Sequence, residues 1–263
     1  MSLVEYATAG AIARITLNVP PANCYSLAMM KELDAAILEA RFDPAVFAIV
    51  LCGAGEKFFC AGADIAMLRD ADPTFKYYFC LHANETLMRM EHTPKLVVAA
   101  IDGHCVGGGL EVALAADIRI ARRGSGKCGL PEVKLGVLPG TGGTQRLVRV
   151  VGKSRAIELM ATGATFDYER AEQLGLVGHV WEADSHDDFM TKIDEWVGEL
   201  VPPKTAGRAV GNIKRAVQTG AEVGLADGLA LERELQQRLF EADDAREGLA
   251  AYLEKRPPAF TGG

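Results

Sequence analysis

The chain has no apolar run approaching the roughly 18 residues that a membrane-spanning helix needs, so nothing in it reads as a transmembrane segment. Its six cysteines, Cys24, Cys52, Cys60, Cys80, Cys105 and Cys128, include no Cys-x-x-Cys pair and no metal-ligand spacing. A disulfide scaffold is not expected in a chain of 263 residues, and cysteines scattered through apolar runs read as buried free thiols in a reducing compartment. The opening MSLVEYATAG lacks a basic stretch leading into an apolar run and lacks Arg-rich amphipathic character. Secretion and organelle import are therefore not indicated, and a cytoplasmic protein is expected. The 28 basic and 35 acidic residues give a formal net charge of -7, which offers no general attraction to nucleic acid.

Several catalytic signatures are missing as well. There is no G-x-S-x-G elbow, and Ser125 and Cys128 have no triad context. The glycine runs do not follow the G-x-G-x-x-G order of a dinucleotide site. His82 and His92 do not combine with the scattered acids in a recognised metal spacing, and His104, just ahead of a glycine run, has no marked nucleophile to serve.

What is present is the composition of a globular protein, 49% hydrophobic and 24% charged, long enough to bury one large core with a small appended region. AIARITLNV reads as a strand ending at Pro20 and Pro21. Ser26 then reads as the N-cap of a helix whose apolar positions Leu27, Met30, Leu33, Ile37 and Leu38 recur at helical spacing. VFAIVLCG, KLVVAAIDG, DIRIARR and LVGHVWEA read as further strands. Helices are expected from Pro73 to His92, after the Gly107-Gly108-Gly109 turn, from Gln145 to Val151, from Ser154 to Thr162 and from Tyr168 to Leu174. Strand–turn–helix units in repetition indicate an α/β fold. From His186 onward the pattern is almost wholly helical, with apolar faces that must pack against the body or a neighbouring subunit.

The chemistry concentrates in two glycine-rich stretches, GHCVGGGLEVALAAD and GLPEVKLGVLPGTGG, each holding one glutamate. Glycines ahead of a helical pattern let the backbone approach a ligand and leave N–H groups pointing outward. With no basic residue nearby, such a turn suits a developing oxyanion better than a phosphate. The plainer alternative is a tight turn required by helix–strand packing. The loop Cys60-Ala61-Gly62-Ala63-Asp64 offers a second N–H, and two donors about 3 Å from one oxygen form an oxyanion hole. Glu111 has a structural alternative at the start of its helix, where the dipole favours a carboxylate. Its neighbours Leu110, Val112, Ala113 and Leu114 are apolar, however, and partial desolvation would raise its pKa toward a useful acid–base range. Glu132, taken alone, could be a solvated loop residue. The two together, flanking the candidate oxyanion donors, point to proton and water chemistry at a carbonyl.

The blocks KFFCAGADIAML, IDGHCVGGGLEVALAADIRIA and LPEVKLGVLPGTGGTQRLVRVVG, with the ending DDAREGLAAYLEKRPPAF, resemble the enoyl-CoA hydratase/isomerase (crotonase) superfamily over roughly Ala11 to Phe260. The resemblance implies an α/β spiral of ββα units forming two nearly perpendicular sheets over residues 1–185. A helical trimerisation region over 186–263 would build homotrimers or hexamers. It also implies an acyl-CoA thioester as substrate, with coenzyme A as carrier and no metal or redox cofactor. The thioester oxygen would sit on the N–H groups of Ala63 and Gly108, and the loop Ala61–Gly62–Ala63 would approach the adenine. Tyr252 and Lys255 would close over the nucleotide, from an adjacent subunit's helix in one arrangement; a solvated helix-end charge is the alternative for Lys255.

Members that hydrate carry glutamates at the positions of both Glu111 and Glu132, whereas isomerases commonly keep one. Glu111 is then expected to orient and deprotonate water and Glu132 to supply the α proton. A Δ3-Δ2 isomerase and a non-catalytic acyl-CoA-binding protein are the alternatives. Leu130 stands where short-chain hydratases often have glutamine, and Cys24 and Tyr25 replace a common alanine–leucine. The acyl group is thus open among straight-chain enoyl-CoA, branched 3-methylglutaconyl-CoA and a cyclic dienoyl-CoA, as is the physiological direction.

Overall fold

A computed structural model describes residues 2–263 of the protein. The chain opens with a hairpin, β1 (Val4–Ala9) and β2 (Ile12–Leu17), which extends the expected first strand by a partner the sequence did not announce. Helix α1 (Leu27–Phe42) begins where Ser26 accepts a hydrogen bond from the Met29 amide, satisfying a donor of the first turn. Strand β3 (Ala48–Gly53) follows, then β4 (Phe58–Cys60), the six-residue α2 (Ile65–Asp70) and the long α3 (Pro73–Glu91). Asp64 caps α2 and Asp72 caps α3, where Pro73 occupies the first helical position without losing a bond.

The middle of the chain adds β5 (Leu96–Ile101), β6 (His104–Val106), α4 (Gly108–Leu114), β7 (Ile118–Arg122) and β8 (Cys128–Gly129). A 3-10 turn at Glu132–Leu135 leads to α5 (Gly143–Val151), α6 (Lys153–Thr162), β9 (Thr165–Phe166), α7 (Tyr168–Gln173) and β10 (His179–Trp181). Four helices finish the chain: α8 (His186–Gly198), α9 (Gly207–Gly220), α10 (Leu225–Phe240) and α11 (Asp243–Glu254). No described helix is long and apolar enough to cross a membrane.

The strands sort into two sheets, β1-β2-β3-β5-β7-β10 and β4-β6-β8-β9. In each of the pairs β3/β4, β5/β6 and β7/β8 the longer strand joins the first sheet and the shorter one the second, so the chain winds as a spiral of ββα units. Strands β3 and β5 are buried along their whole length and read as continuous apolar runs, as central parallel strands should. Alternate residues face two cores. Ile49, Leu51, Val97 and Ala99 point to the side packed by α1, α3 and α4. Ala48, Val50, Val98 and Ala100 point to the other side, where Phe189, Met190, Ile193 and Val197 of α8 cover them. All six cysteines are free, four buried and two half-buried; burial pushes the Cys60 and Cys128 thiols up to about 12, which leaves them unreactive near neutrality.

For the site, the decisive register is in the smaller sheet. Strands β4, β6 and β8 are mutually parallel, so all three release the chain at the same edge. The segments that leave them are Ala61–Asp64, Gly107–Glu111 and Leu130–Glu132.

The helical end is tied to the body by a buried charge. The three protons of Lys214 on α9 go to Asp117 (2.9 Å), the Met90 carbonyl (3.0 Å) and the Lys95 carbonyl (3.0 Å), and Asp117 also accepts from the Val97 amide (2.7 Å). Beyond it, Ile213, Val217, Leu225, Leu229, Leu249 and Leu253 of α9–α11 remain exposed. Lys214→Ala leaves Asp117 buried without its counter-charge, so a loss of about 3–5 kcal/mol in unfolding free energy is expected by denaturant titration; a loss below 1 kcal/mol would show that α9 is held by its apolar contacts alone.

Candidate active site

Two backbone amides come together first. A Cβ on Gly62, which holds φ +94°, would lie only 2.9 Å from the Gly108 nitrogen, so the loop after β4 lies directly against the turn after β6. Only a residue without a side chain fits there. The backbone flanking Ala63 is fixed by Tyr25, whose N–H donates to the Gly62 carbonyl (2.9 Å) and whose carbonyl accepts from Asp64 (3.0 Å). Gly107 takes φ +56° to start α4 and donates to the Gly129 carbonyl of β8 (2.8 Å). The amides of Ala63 and Gly108 are left without a protein acceptor among the described residues.

Glu111 lies one turn into α4 and is 2% exposed. Its Oε1 accepts from the amides of Thr141 (2.8 Å) and Gly143 (2.7 Å), and its Oε2 accepts from the Thr141 hydroxyl. Desolvation raises its pKa above the usual carboxylate range, opposed by these hydrogen bonds and by Arg146. Arg146 itself braces the turn: it donates to the Thr141 carbonyl (3.1 Å) and forms a two-pronged pair with Glu91 of α3 at 2.7 and 2.6 Å.

Glu132 opens the 3-10 turn after β8. Its Oε1 lies against Gly107, 3.1 Å from where a Cβ of that residue would stand, and its buried Oε2 has no hydrogen-bond partner. Burial pushes its pKa up to about 7, with the Glu111 charge adding to the rise and its own backbone amide and Lys76 of α3 opposing it. A carboxylic acid poised at that value holds or releases a proton near neutral pH.

Glu111, Glu132, Ala63 and Gly108, the four residues singled out from the sequence, are therefore brought together at one edge of the smaller sheet, with Ala61 and Gly62 in the adjoining loop. Tyr252 and Lys255 do not join them within the chain. They lie on and just after α11, which packs on α10; Tyr252 is 84% exposed and Lys255 ends the helix in a left-handed conformation. Leu130 is buried, its Cδ1 2.9 Å from the Cβ position of Gly143, and so backs the turn that holds Glu111 with an apolar group.

Sequence reasoning passed over Thr141. A hydroxyl residue inside the glycine run LPGTGG was the available signal, and its amide and side chain supply two of the three hydrogen bonds to Glu111. Lys76 was also missed; its Nζ lies over the Phe79 ring at 5.3 Å, and no local pattern marks it.

The sequence profile of the enoyl-CoA hydratase/isomerase family matches residues 7–263. The chain belongs to that family. It is 37% identical to the short-chain-enoyl-CoA hydratase of Clostridium acetobutylicum, over 94% of this chain and 93% of that protein. The fold superposes on a solved enoyl-CoA hydratase of Geobacillus kaustophilus with a TM-score of 0.96 and 44% identity, covering 100% of this chain and 98% of the other. An enoyl-CoA hydratase of Bacillus anthracis gives 0.91 at 33% identity, with 99% and 100% covered. The α/β architecture with a helical C-terminal region is thus the family's.

The raised pKa of Glu132 has a cost in stability whose sign follows from linkage. A group bound to its proton more tightly in the folded state contributes fully below its ordinary pKa of 4.5, and that contribution is lost as pH rises toward about 7. Glu132→Gln removes the titration. The variant is expected to melt higher than the parent at pH 8, with the gap closing by pH 5; an equal gap at both values would mean the carboxyl is not desolvated.

Proposed function

We propose that the protein is an enoyl-CoA hydratase, adding water reversibly across the 2,3 double bond of an enoyl-CoA to give the 3-hydroxyacyl-CoA. The observation that carries this reading is the pairing of a buried carboxylate, Glu111, and a half-buried one, Glu132, unequally held, with two unpaired amides at one strand edge. The thioester oxygen is placed on the N–H groups of Ala63 and Gly108, donors that strengthen as the carbonyl becomes an enolate. Glu111 keeps one lone pair of Oε2 free of its three protein donors. That lone pair receives a water proton while the water oxygen bonds to C3. Glu132, with its raised pKa, delivers a proton to C2. After the step Glu111 holds the proton and Glu132 is ionised, and exchange with solvent resets the pair. No step calls for a metal or a redox cofactor.

The unpartnered Glu132 oxygen favours one second reading, since a single carboxyl of that kind can shuttle a proton between C2 and C4 and so run Δ3-Δ2 isomerisation. Product mass separates the two: hydration adds a water, isomerisation changes nothing. The chemistry leaves the acyl group among straight, branched and cyclic enoyl-CoA thioesters. The exposed apolar side chains of α9–α11 support a homotrimer or hexamer, in which a neighbour's α11 would bring Tyr252 and Lys255 toward the nucleotide.

Crotonyl-CoA is expected to lose its conjugated thioester absorbance on incubation with the protein, and a panel of short, long, branched and cyclic enoyl-CoAs, read by mass, identifies the acyl class. Glu111→Gln and Glu132→Gln should each lower kcat by about 10²–10⁴-fold. Parent-like turnover in both variants would sink the mechanism, and CoA binding without turnover of any thioester would favour a binding protein.

A further inference from the structure

Thr141 has one hydroxyl proton and donates it to Glu111 Oε2. The 3.0 Å contact between Thr141 Oγ1 and the Tyr25 hydroxyl therefore has Tyr25 as the donor while Glu111 is ionised. This makes a directed chain, Tyr25 to Thr141 to Glu111, all three members buried. The position of Tyr25 is not incidental. Its backbone brackets Ala63 on both sides, its ring packs 5.9 Å from Phe79, and its hydroxyl lies 2.0 Å from where a Cβ of Gly108 would stand. One residue thus touches the surroundings of both unpaired amides and, through Thr141, the acid.

When Glu111 takes a proton, both lone pairs of Oε1 remain occupied by backbone amides, so the proton resides on Oε2. The same three oxygens accommodate it by rotation alone. The Oε2–H, received on the side away from Thr141, turns about its C–O bond to donate to Thr141 Oγ1, the Thr141 hydroxyl turns to donate to Tyr25, and the Tyr25 proton turns away, so the unpaired donor passes from the acid to the phenol. No bond other than the new O–H is made, and no proton leaves Thr141 or Tyr25. Without such a reversible partner, one protonation state of a buried carboxyl would face an unmatched donor or acceptor.

We propose that Tyr25 and Thr141 form a reversible hydroxyl relay that keeps Glu111 hydrogen-bonded in both its protonation states, with Tyr25 acting as a positioning residue only through Thr141. The proposal rests on Glu111 as an acid–base group of the hydration reading. The other charged or titratable groups around it are Glu132 from the 3-10 turn and Arg146 from α5, itself paired with Glu91 of α3; Cys60 and Cys80 stand near Tyr25. Burial and the Glu111 charge hold the Tyr25 phenol well above its ordinary pKa, so it remains a neutral hydroxyl through the working range.

The test is a titration of the Glu111 side-chain carboxyl by carbon-13 NMR in glutamate-labelled protein, the signal assigned by its loss in Glu111→Gln, with the acid limb of kcat/KM measured beside it. Thr141→Val removes a hydrogen bond to the charged form and should raise the midpoint by about one to two pH units. Tyr25→Phe should raise it by less, Thr141→Ser should restore the parent value, and the double variant Tyr25→Phe/Thr141→Val should match Thr141→Val alone. An unmoved midpoint in Thr141→Val, or a Tyr25→Phe effect that persists in the Thr141→Val background, overturns the relay. A parent protein that hydrates no enoyl-CoA overturns the hydratase reading instead, and the NMR titration still decides the relay.

Discussion

Because β4, β6 and β8 pair in parallel, the chain leaves all three strands at one edge, and three loops compete for the same space. The second sheet is too short to hold them apart: its strands run only two or three residues each. The competition is resolved by removing side chains. A Cβ on Gly62 would meet the Gly108 amide at 2.9 Å, and one on Gly109 would meet the Cys60 carbonyl at 2.0 Å. The glycines therefore do more than permit turns. They let two loops lie so close that the amides of Ala63 and Gly108 beside the contact are left without a protein acceptor among the described residues.

The same crowding sets the electrostatics. Two carboxyls enter a desolvated region, and the Glu111 charge adds to the demand of Glu132 for a proton. The surroundings divide them unequally. Glu111 receives two amides and a hydroxyl, while one oxygen of Glu132 receives nothing. A carboxyl rich in donors is favoured as the anion, and one starved of donors holds its proton longer. On the proposed hydratase reading, that asymmetry, more than the mere presence of two acids, is what would separate the base from the acid.

Much of this was legible from the residues. Ser26 announced α1, the GGG turn announced α4, and the alternation of apolar runs with helical periods announced an α/β chain. The short strands were not, since Phe58–Cys60, His104–Val106 and Cys128–Gly129 are too brief to show a period of two and sit inside loop-like composition. Glu111 and Glu132 stood out by their glycine surroundings, yet the difference in how they are held did not, because it depends on contacts across the fold. Thr141 reaches Glu111 from thirty positions downstream, and Tyr25 reaches Thr141 from 116 positions upstream. No local spacing encodes either contact.

Leu130 and Tyr25 make sense as one unit. Leu130 brings an apolar side chain to the turn that holds Glu111, and it offers no donor to the glutamate two residues on. Tyr25 brings a hydroxyl to the opposite side, where Thr141 relays it to Glu111. Polar support is thereby lacking near Glu132 and present behind Glu111. On the proposed relay, both features favour the same division: Glu132 keeping its proton and Glu111 losing it.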